Sequence, residues 1–208
     1  MNLEKYFKEI RKAAKDKVLI GLSGQVGAGK TSILNILKEK GVYTISCDEI
    51  TNKVLTNKKC YSKILIEFDN VVDSDGRLNK KKLAKIVFGS KPKREYLESL
   101  LHPFILKDII PLIKQSPKRI VVIEAPLLFE SGFYKYMDLN ICVYSSLKNQ
   151  IIRLRNRGWT KNEILSRIKS QFSTDIKCKM SDIIIDNDKS ISCLEEQISL
   201  LYNSLSKI

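Results

Sequence analysis

The feature that most constrains the fold of this chain is a glycine-rich pattern that begins at Gly24. Residues 24–31 read GQVGAGKT and match the pattern G-x-x-x-x-G-K-[ST] at every fixed position. Glycines let the backbone wrap around a phosphate with its N–H groups pointing inward, because they adopt positive φ at little steric cost. The helix that follows such a loop presents the positive end of its dipole to the anion. The pattern therefore predicts a nucleoside triphosphate site.

Short apolar segments alternate with helical patterns along much of the chain. Residues 18–23 (VLIGLS) run directly into the glycines, as a buried strand of a parallel sheet does. Residues 30–40 carry apolar side chains at helical spacing and stop at Gly41. This alternation predicts an α/β domain with a parallel sheet. The other predicted strands cover 42–46, 119–125, 139–144 and 182–186, and the later helices cover 147–157, 160–172 and 190–206.

Two segments lie outside this alternation. Residues 1–17 form an N-terminal extension, predicted to be an amphipathic helix with an apolar face of Leu3, Phe7, Ile10 and Ala14. Residues 49–117 contain no strong signal for a buried strand. They predict an inserted helical domain that binds the acceptor or forms a lid, with helices at 50–57, 60–69, 79–88 and 93–115 and a turn at 73–76.

The composition limits the class of protein. A chain of 208 residues with 43% hydrophobic and 29% charged residues is typical of one globular domain with an insertion. No apolar run reaches the ~18 residues that a membrane span needs, and the N-terminus lacks the apolar core of a signal peptide. The five cysteines are widely spaced and form no CxxC pair, which favours free thiols. We therefore expect a cytoplasmic protein without a membrane partner.

The net charge of +14 suggests a polyanionic partner. The basic residues are 29 Lys and only 8 Arg, whereas sites that read or stack on bases favour Arg and aromatic residues. We favour a lysine-rich solvated surface and no nucleic-acid partner. A specific anionic ligand and a basic nucleic-acid-binding ATPase are the alternatives.

The class of phosphate-loop protein follows from what accompanies the loop. A GTPase needs a guanine-reading N-K-x-D, and the Asn-Lys pairs at 52–53 and 57–58 both lack the Asp. A small-molecule kinase needs a catalytic carboxylate, arginines in a lid and an acceptor pocket. The chain contains candidates for each of these, so a kinase is favoured over a GTPase or a nucleic-acid-dependent ATPase.

Three groups of residues are candidates for the chemistry. Asp48 follows the second strand, at the edge where open α/β sheets place their ligands, although an Asp there is also a common helix N-cap. Arg153 and Arg157 are i, i+4 neighbours, and guanidinium groups bind phosphate oxygens bidentately. A solvated basic face is the alternative for this group. This group contains half of the chain's arginines within fifteen residues, at Arg153, Arg155, Arg157 and Arg167. The third candidate is His102, the single histidine.

Together these motifs resemble the dephospho-coenzyme A kinase family, from about residue 18 to the C-terminus. The matching segments occur in the family's order, and the combination of LLHP, PLLFESG and DIIIDN is more specific than the phosphate loop alone. They are IGLSGQVGAGKTS (20–32), GVYTISCDEI (41–50), DGRLNKKKLAKIVF (75–88), LESLLHPFI (97–105), VVIEAPLLFESGFY (121–134), RLRNRG (153–158), RIKSQ (167–171) and SDIIIDN (181–187).

The resemblance implies an α/β three-layer P-loop fold with a five-stranded parallel sheet, an acceptor domain at about 49–117 and a lid at about 153–180. It implies ATP with Mg²⁺ as the phosphoryl donor and the ribose 3′-hydroxyl of dephospho-coenzyme A as the acceptor. A nucleoside or nucleotide kinase on the same scaffold is the alternative. We expect a monomer or a weak homo-oligomer.

The resemblance also carries expected roles to individual residues. Asp48, Lys30 and Arg157 are expected to act in catalysis, and Thr31 and Glu124 to hold the metal. Arg77, Lys80 and His102, together with Asp48, are expected to meet the acceptor. The expected ATP contacts are Gly24, Gly27, Ala28, Gly29, Lys30, Thr31, Ser32 and Arg153.

The chain departs from the family's usual pattern at three places. The D-x-D that often follows the second strand is Ser46-Cys47-Asp48 here, which leaves one carboxylate. Many members carry Asp before the Pro-Leu-Leu run, whereas this chain has Glu124 two positions before Pro126. The residue after the lid arginine is Gly158, where Asp is common. Residues 1–17 precede the usual start of the family and have no assigned role.

Overall fold

The structure is a computed structural model that describes residues 3–206. Within these residues five strands form one parallel sheet in the order β2-β3-β1-β4-β5. The predicted five-stranded parallel sheet is confirmed, with β1 at its centre. The strands are β1 (Val18–Ser23), β2 (Tyr43–Ser46), β3 (Ile120–Glu124), β4 (Leu139–Tyr144) and β5 (Ile183–Asp186).

The helices lie close to the predicted ranges, with one addition. The short helix α9 begins after Ser173, whose hydroxyl accepts from the Ile176 N–H as an N-cap, and the sequence patterns did not predict it. A 3-10 helix covers Phe133–Tyr136. The α-helices are α1 (Glu4–Ala13), α2 (Lys30–Glu39), α3 (Cys47–Val54), α4 (Lys58–Glu67), α5 (Lys80–Gly89), α6 (Lys91–Gln115), α7 (Leu147–Asn156), α8 (Lys161–Lys169), α9 (Thr174–Lys179) and α10 (Ile191–Leu205).

The sheet is covered on both faces, which makes the fold three-layered as predicted. Alternate residues of one strand enter different cores: Leu19 packs with one cluster and Ile20 with the other. The first core joins α1 and α3 to α6 on one face. The second joins α2 and α10 on the other. Because both faces are buried, the strands read as nearly continuous apolar runs in the sequence.

Helix α6 is the longest element of the predicted insertion. It runs without a break through Pro103 and Pro111 and packs against α1, α3 and α5. The description of residues 49–117 as an acceptor domain, the lid at 153–180 and the division at residue 18 stay predictions. No helix within residues 3–206 has the length and hydropathy to cross a membrane.

The extension at the N-terminus is built into the core. Phe7 and Ile10 of α1 are buried, and so is Ala14 just after it. Arg11 of α1 donates to Asp138 Oδ2 at 2.7 Å, and that carboxylate also accepts from the Leu19 N–H at 2.8 Å. Helix α1 is therefore held against the start of the central strand, β1.

Candidate active site

The carboxyl ends of β1, β2 and β3 meet at one edge of the sheet. In the strand register, Glu124 of β3 pairs with Ser46 of β2 on one side and with Leu22 of β1 on the other. The Ser46 hydroxyl donates to Glu124 Oε2 at 2.9 Å. Asp48 lies in the first turn of α3, immediately after β2, and its side chain is exposed. The strand order thus brings Asp48 and Glu124 to the phosphate loop.

The phosphate loop has the backbone that its glycines predict. Gly27 and Gly29 have φ values of 80° and 99°, which side chains rarely adopt. A Cβ on Gly29 would also stand only 2.0 Å from Asn187 Nδ2. Lys30 begins α2, and its ammonium donates to the carbonyl oxygens of Gly24 at 3.0 Å and Gln25 at 3.4 Å. The first two residues of the loop therefore hold the ammonium, Gly27, Ala28 and Gly29 complete the loop up to α2, and Thr31 and Ser32 are exposed on the first turn of α2.

Arg153 and Asn187 support the loop from its outer side. Arg153 donates to the carbonyl oxygens of Ala28 at 3.2 Å and Asn187 at 2.6 Å, and the Asn187 amide donates to Ala28 O at 2.7 Å. These hydrogen bonds fix the position of the loop. A contact between Arg153 and ATP stays a prediction. The sequence patterns give Asn187 no role beyond its place in the DIIIDN motif. Its place directly after β5 was the signal that it reaches this edge of the sheet.

Asp188 anchors the same region to the start of α7. Its Oδ1 accepts from the Ser146 N–H at 2.7 Å, the Ser145 hydroxyl at 2.9 Å and the Asn149 amide at 2.9 Å. Burial opposes ionisation of Asp188, but these hydrogen bonds outweigh it and lower its pKa to about 2. The negative charge also lies at the N-terminus of α7, where the helix dipole favours it.

Asp188→Ala should lower the free energy of unfolding by about 2–3 kcal/mol at pH 7, because it removes three hydrogen bonds worth ~1 kcal/mol each. The pKa in the folded state lies below the ordinary value of ~3.9, so the stabilisation is complete above that pH and is lost as the pH falls through about 2. Urea unfolding of both proteins at several pH values measures this. The difference should shrink below pH ~4. Exposed Asp16→Ala is the control, and an equal loss of stability in that variant would contradict the prediction.

Lys30 and Glu124 form a buried charged pair beneath the loop. Their Nζ and Oε1 atoms lie 3.9 Å apart, and both side chains are at most 10% exposed. Burial raises the pKa of Glu124 to about 7; the charge of Asp48 adds to the increase, and the charge of Lys30 opposes it. A cation beside this carboxylate would favour its ionised form.

These residues fit Mg²⁺ bound by few protein ligands. No group of three or more His, Cys, Asp or Glu residues within 3–206 is arranged to hold a metal. Mg²⁺ in phosphoryl-transfer sites is commonly held by one or two protein oxygens together with water and substrate phosphates. The Thr31 hydroxyl at the start of α2 and the Glu124 carboxylate at the end of β3 are two oxygen ligands of the kind that such a site needs.

A cavity of about 290 Å³ opens beside the loop and contains several of the predicted residues. Lys30, Asp48 and His102 all line it. His102 comes from the middle of α6, and burial lowers its pKa, which favours the neutral ring. Glu98, one turn earlier on α6, lines the same cavity, and burial raises its pKa. Sequence patterns had not singled out Glu98, although its spacing of four from His102 places both on one helix face.

Arg167 is the arginine of the predicted group that lines this cavity. Its guanidinium lies 4.4 Å from the ring centroids of both Phe88 and Trp159, so it is held between two aromatic faces. Burial lowers its pKa, and the charges of Asp48 and Glu163 oppose that effect. Arg157, which the resemblance places in catalysis, is exposed where α7 ends. Its catalytic role stays a prediction.

The two basic residues expected at the acceptor lie outside the cavity wall. Arg77 is in the exposed turn before α5, and its Nε lies 3.3 Å from Asp75 Oδ2. The Lys80 ammonium donates to Asn52 Oδ1 of α3 at 2.6 Å, on the exposed surface. Lys80 is thus tied to the helix that carries Asp48. Acceptor contacts of Arg77 and Lys80 stay predictions.

The segment between α8 and α9 is bonded to the phosphate loop. The Val26 N–H donates to Gln171 Oε1 at 3.1 Å, and the Gln25 amide donates to Phe172 O at 3.0 Å. The Phe172 N–H in turn donates to Glu130 at 2.8 Å. The position of α8, and with it of Arg167, is therefore set by contacts with the loop. Gln171 is the last residue of the RIKSQ segment, and its contact with the loop cannot be predicted from helical periodicity.

Comparison with known proteins decides the family. The family model described as "Dephospho-CoA kinase" matches residues 18–192. The chain belongs to the dephospho-CoA kinase family. A curated dephospho-CoA kinase of Carboxydothermus hydrogenoformans is 37% identical over 186 residues, which cover 86% of this chain and 90% of that one. The resemblance drawn from the motifs is thereby confirmed, and the protein is a kinase.

Two solved structures have the same fold. A crystal structure of a Thermus thermophilus protein superposes with a TM-score of 0.78 at 26% identity and covers 91% of this chain and 98% of that chain. A dephospho-CoA kinase from Campylobacter jejuni gives a TM-score of 0.63 at 26% identity, covering 91% and 97%. The P-loop kinase architecture of the family therefore extends over nearly the whole chain.

Proposed function

We propose that this kinase transfers the γ-phosphoryl group of ATP to the ribose 3′-hydroxyl of dephospho-coenzyme A, producing coenzyme A and ADP. The observation that carries the proposal is that the phosphate-loop Lys30 and the carboxylate of Asp48 line one cavity. Such a cavity lets a bound alcohol face a γ-phosphate next to a base. Membership of the dephospho-CoA kinase family supports this choice of acceptor.

In the proposed reaction the acceptor oxygen attacks the γ-phosphorus, and the bond from that phosphorus to the β,γ-bridging oxygen breaks. Asp48 accepts the hydroxyl proton, and the electron pair leaves with ADP. Lys30 and Arg167 neutralise negative charge that spreads over the transferring oxygens. His102 and Glu98 are the polar groups of α6 that orient the acceptor.

Thr31 and Glu124 are the residues that would hold Mg²⁺, which supplies charge neutralisation at the β- and γ-phosphate oxygens. A cation bound beside Glu124 would favour the ionised form of that carboxyl group and oppose the effect of burial on its pKa. The direct contacts of Gly24 to Ser32 with the phosphates belong to the same proposal.

A coupled assay of ADP release with Mg²⁺, ATP and a panel of acceptors tests the proposed function. Dephospho-coenzyme A should give the highest kcat/KM, and mass spectrometry should find coenzyme A as the product. A higher kcat/KM with a nucleoside monophosphate would favour the nucleotide-kinase alternative instead. Stimulation of ATP hydrolysis by DNA or RNA would favour the nucleic-acid-dependent ATPase, so both belong in the panel.

The proposal extends to the partners and the compartment. ATP and dephospho-coenzyme A are the proposed small-molecule partners, and the protein is proposed to act as a monomer or weak homo-oligomer without nucleic acid. All five cysteines are free in the described structure. Free thiols persist in a reducing compartment, which supports the cytoplasm.

A further inference from the structure

Helix α1 contributes to the wall of the cavity that contains Asp48. The match to the family begins at residue 18, so α1 lies before it. Leu3 and Phe7 nevertheless line the same cavity as Asp48 and His102. The segment to which the sequence patterns gave no role thus reaches the candidate acceptor site.

The position of this wall is set by packing on several sides. Phe7 is only 4% exposed, and its ring stacks on Phe133 with centroids 4.8 Å apart. The ring of Tyr136 also contacts Phe7 in a tilted arrangement, with ring centroids 5.3 Å apart. Together with the Arg11 bond to Asp138, these contacts leave α1 little freedom to move from the cavity.

Leu3 is the more accessible of the two residues. It is half-buried at the N-cap of α1, and its carbonyl oxygen accepts from the N–H groups of Tyr6 and Phe7. The backbone of Leu3 is thereby fixed to the first turn of the helix. Its side chain is a wall residue that a ligand can contact without displacing the core.

The cavity has a charged part and an apolar part. Lys30, Asp48 and Arg167 supply the charged part. The apolar lining includes Leu3 and Phe7 of α1 together with Leu101, Ile105, Leu106 and Phe133. A wall of this composition favours an uncharged ring or hydrocarbon and disfavours a diphosphate, since burying unpaired charge is costly.

The chemistry of the acceptor identifies the group that meets this wall. The ribose that carries the reacting 3′-hydroxyl also carries the adenine base. When that hydroxyl lies at Asp48, the base is therefore separated from Asp48 by no more than the ribose ring. The diphosphate and the pantetheine arm lead away from that sugar through its 5′-carbon. The volume of about 290 Å³ is just below the ~300–1,000 Å³ typical of small-molecule pockets, which suits part of the acceptor.

We propose that α1 completes the acceptor subsite and that Leu3 is a specificity-determining residue that packs against the adenine base of dephospho-coenzyme A. This inference rests on the proposed function. Phe7 supports Leu3 and Phe133 from within the core. The subsite is therefore built partly from a segment that precedes the residues matched to the family.

Leu3→Ala should raise KM for dephospho-coenzyme A about five-fold, because a half-buried leucine loses part of its apolar contact. KM for ATP and kcat should stay within about two-fold, since Leu3 meets neither the phosphate loop nor the transferred group. Steady-state kinetics with each substrate varied in turn measure this. An unchanged KM for the acceptor would overturn the proposal.

The assignment to the base has its own measurement. An acceptor that carries 1,N6-ethenoadenine has a bulkier base, and the space left by Leu3→Ala should admit it. The ratio of kcat/KM for this analogue to that for dephospho-coenzyme A should rise at least about five-fold in the variant. An unchanged ratio, or no turnover of the analogue by either protein, would overturn the assignment.

Tyr6→Ala is the matched control. Tyr6 is half-buried on the same helix and packs near Lys107, outside the cavity lining. Its variant should lose thermal stability as Leu3→Ala does but keep the wild-type KM and base preference. An equal rise in KM would show that only the packing of α1 matters and would overturn the role of Leu3. Lack of wild-type turnover with dephospho-coenzyme A would instead contradict the proposed function.

Discussion

Asp48→Asn is expected to lower kcat by about 10²–10⁴-fold, the range typical of general-base catalysis. The asparagine keeps the shape of the side chain and a hydrogen bond to the acceptor hydroxyl, but it cannot take the proton. ATP binding should change less than about two-fold, because the base acts on the acceptor in the transition state. Single-turnover kinetics and calorimetric titration with a non-hydrolysable ATP analogue measure the two effects.

Glu49→Gln is the matched control for Asp48→Asn. Glu49 is the next residue on α3 and is exposed. Its Oε1 atom lies 4.0 Å from Lys38 Nζ on the surface. Its variant should retain wild-type kcat. If Asp48→Asn instead keeps more than about a tenth of the wild-type kcat, Asp48 does not act as the base.

Lys30→Ala is expected to lower kcat/KM by about 10²–10³-fold, the typical cost of removing one stabilising donor from a transition state. The ammonium lies inside the phosphate loop, where it donates to Gly24 O and Gln25 O and comes within 3.9 Å of Glu124. Its loss removes the positive charge from the proposed site of the γ-phosphate. Both ATP affinity and kcat should therefore fall.

The same substitution has an electrostatic consequence for Glu124. The Lys30 charge lowers the pKa of that carboxyl against the effect of burial, so its removal should raise the pKa of Glu124 further. More of the carboxyl is then protonated at neutral pH, and Mg²⁺ affinity should fall with it. Steady-state titrations of Mg²⁺ at pH 7 and pH 8.5 should show a larger gain with pH in the variant than in the wild type.

Lys38→Ala is the control for the charge change. Lys38 lies on the same helix, α2, with a side chain 47% exposed. That variant should keep both kcat/KM and Mg²⁺ dependence. Wild-type kcat/KM in Lys30→Ala would mean that the phosphate loop does not hold the transferred group.

Local sequence patterns determined the elements of this fold and the phosphate site. Residues 24–31 predicted the loop because its glycines, lysine and threonine are contiguous, and the backbone supplies the ligand groups. Asp48 was a candidate because it directly follows an apolar strand, whereas Glu124 was expected only from the family resemblance, although it too ends an apolar strand. In a parallel sheet such positions share one edge, whatever the length of chain between them.

Tertiary structure decided which arginine and which helices reach the cavity. Periodicity paired Arg153 with Arg157, but Arg153 binds the outer side of the loop, Arg157 is exposed, and Arg167 lies between Phe88 and Trp159. Where each arginine side chain points depends on contacts between its helix and segments that are distant in the sequence. The spacing of residues along one helix does not encode those contacts. The same holds for α1: its apolar face was predicted from periodicity, but its place in the wall of the cavity that contains Asp48 follows from packing against α6 and Phe133.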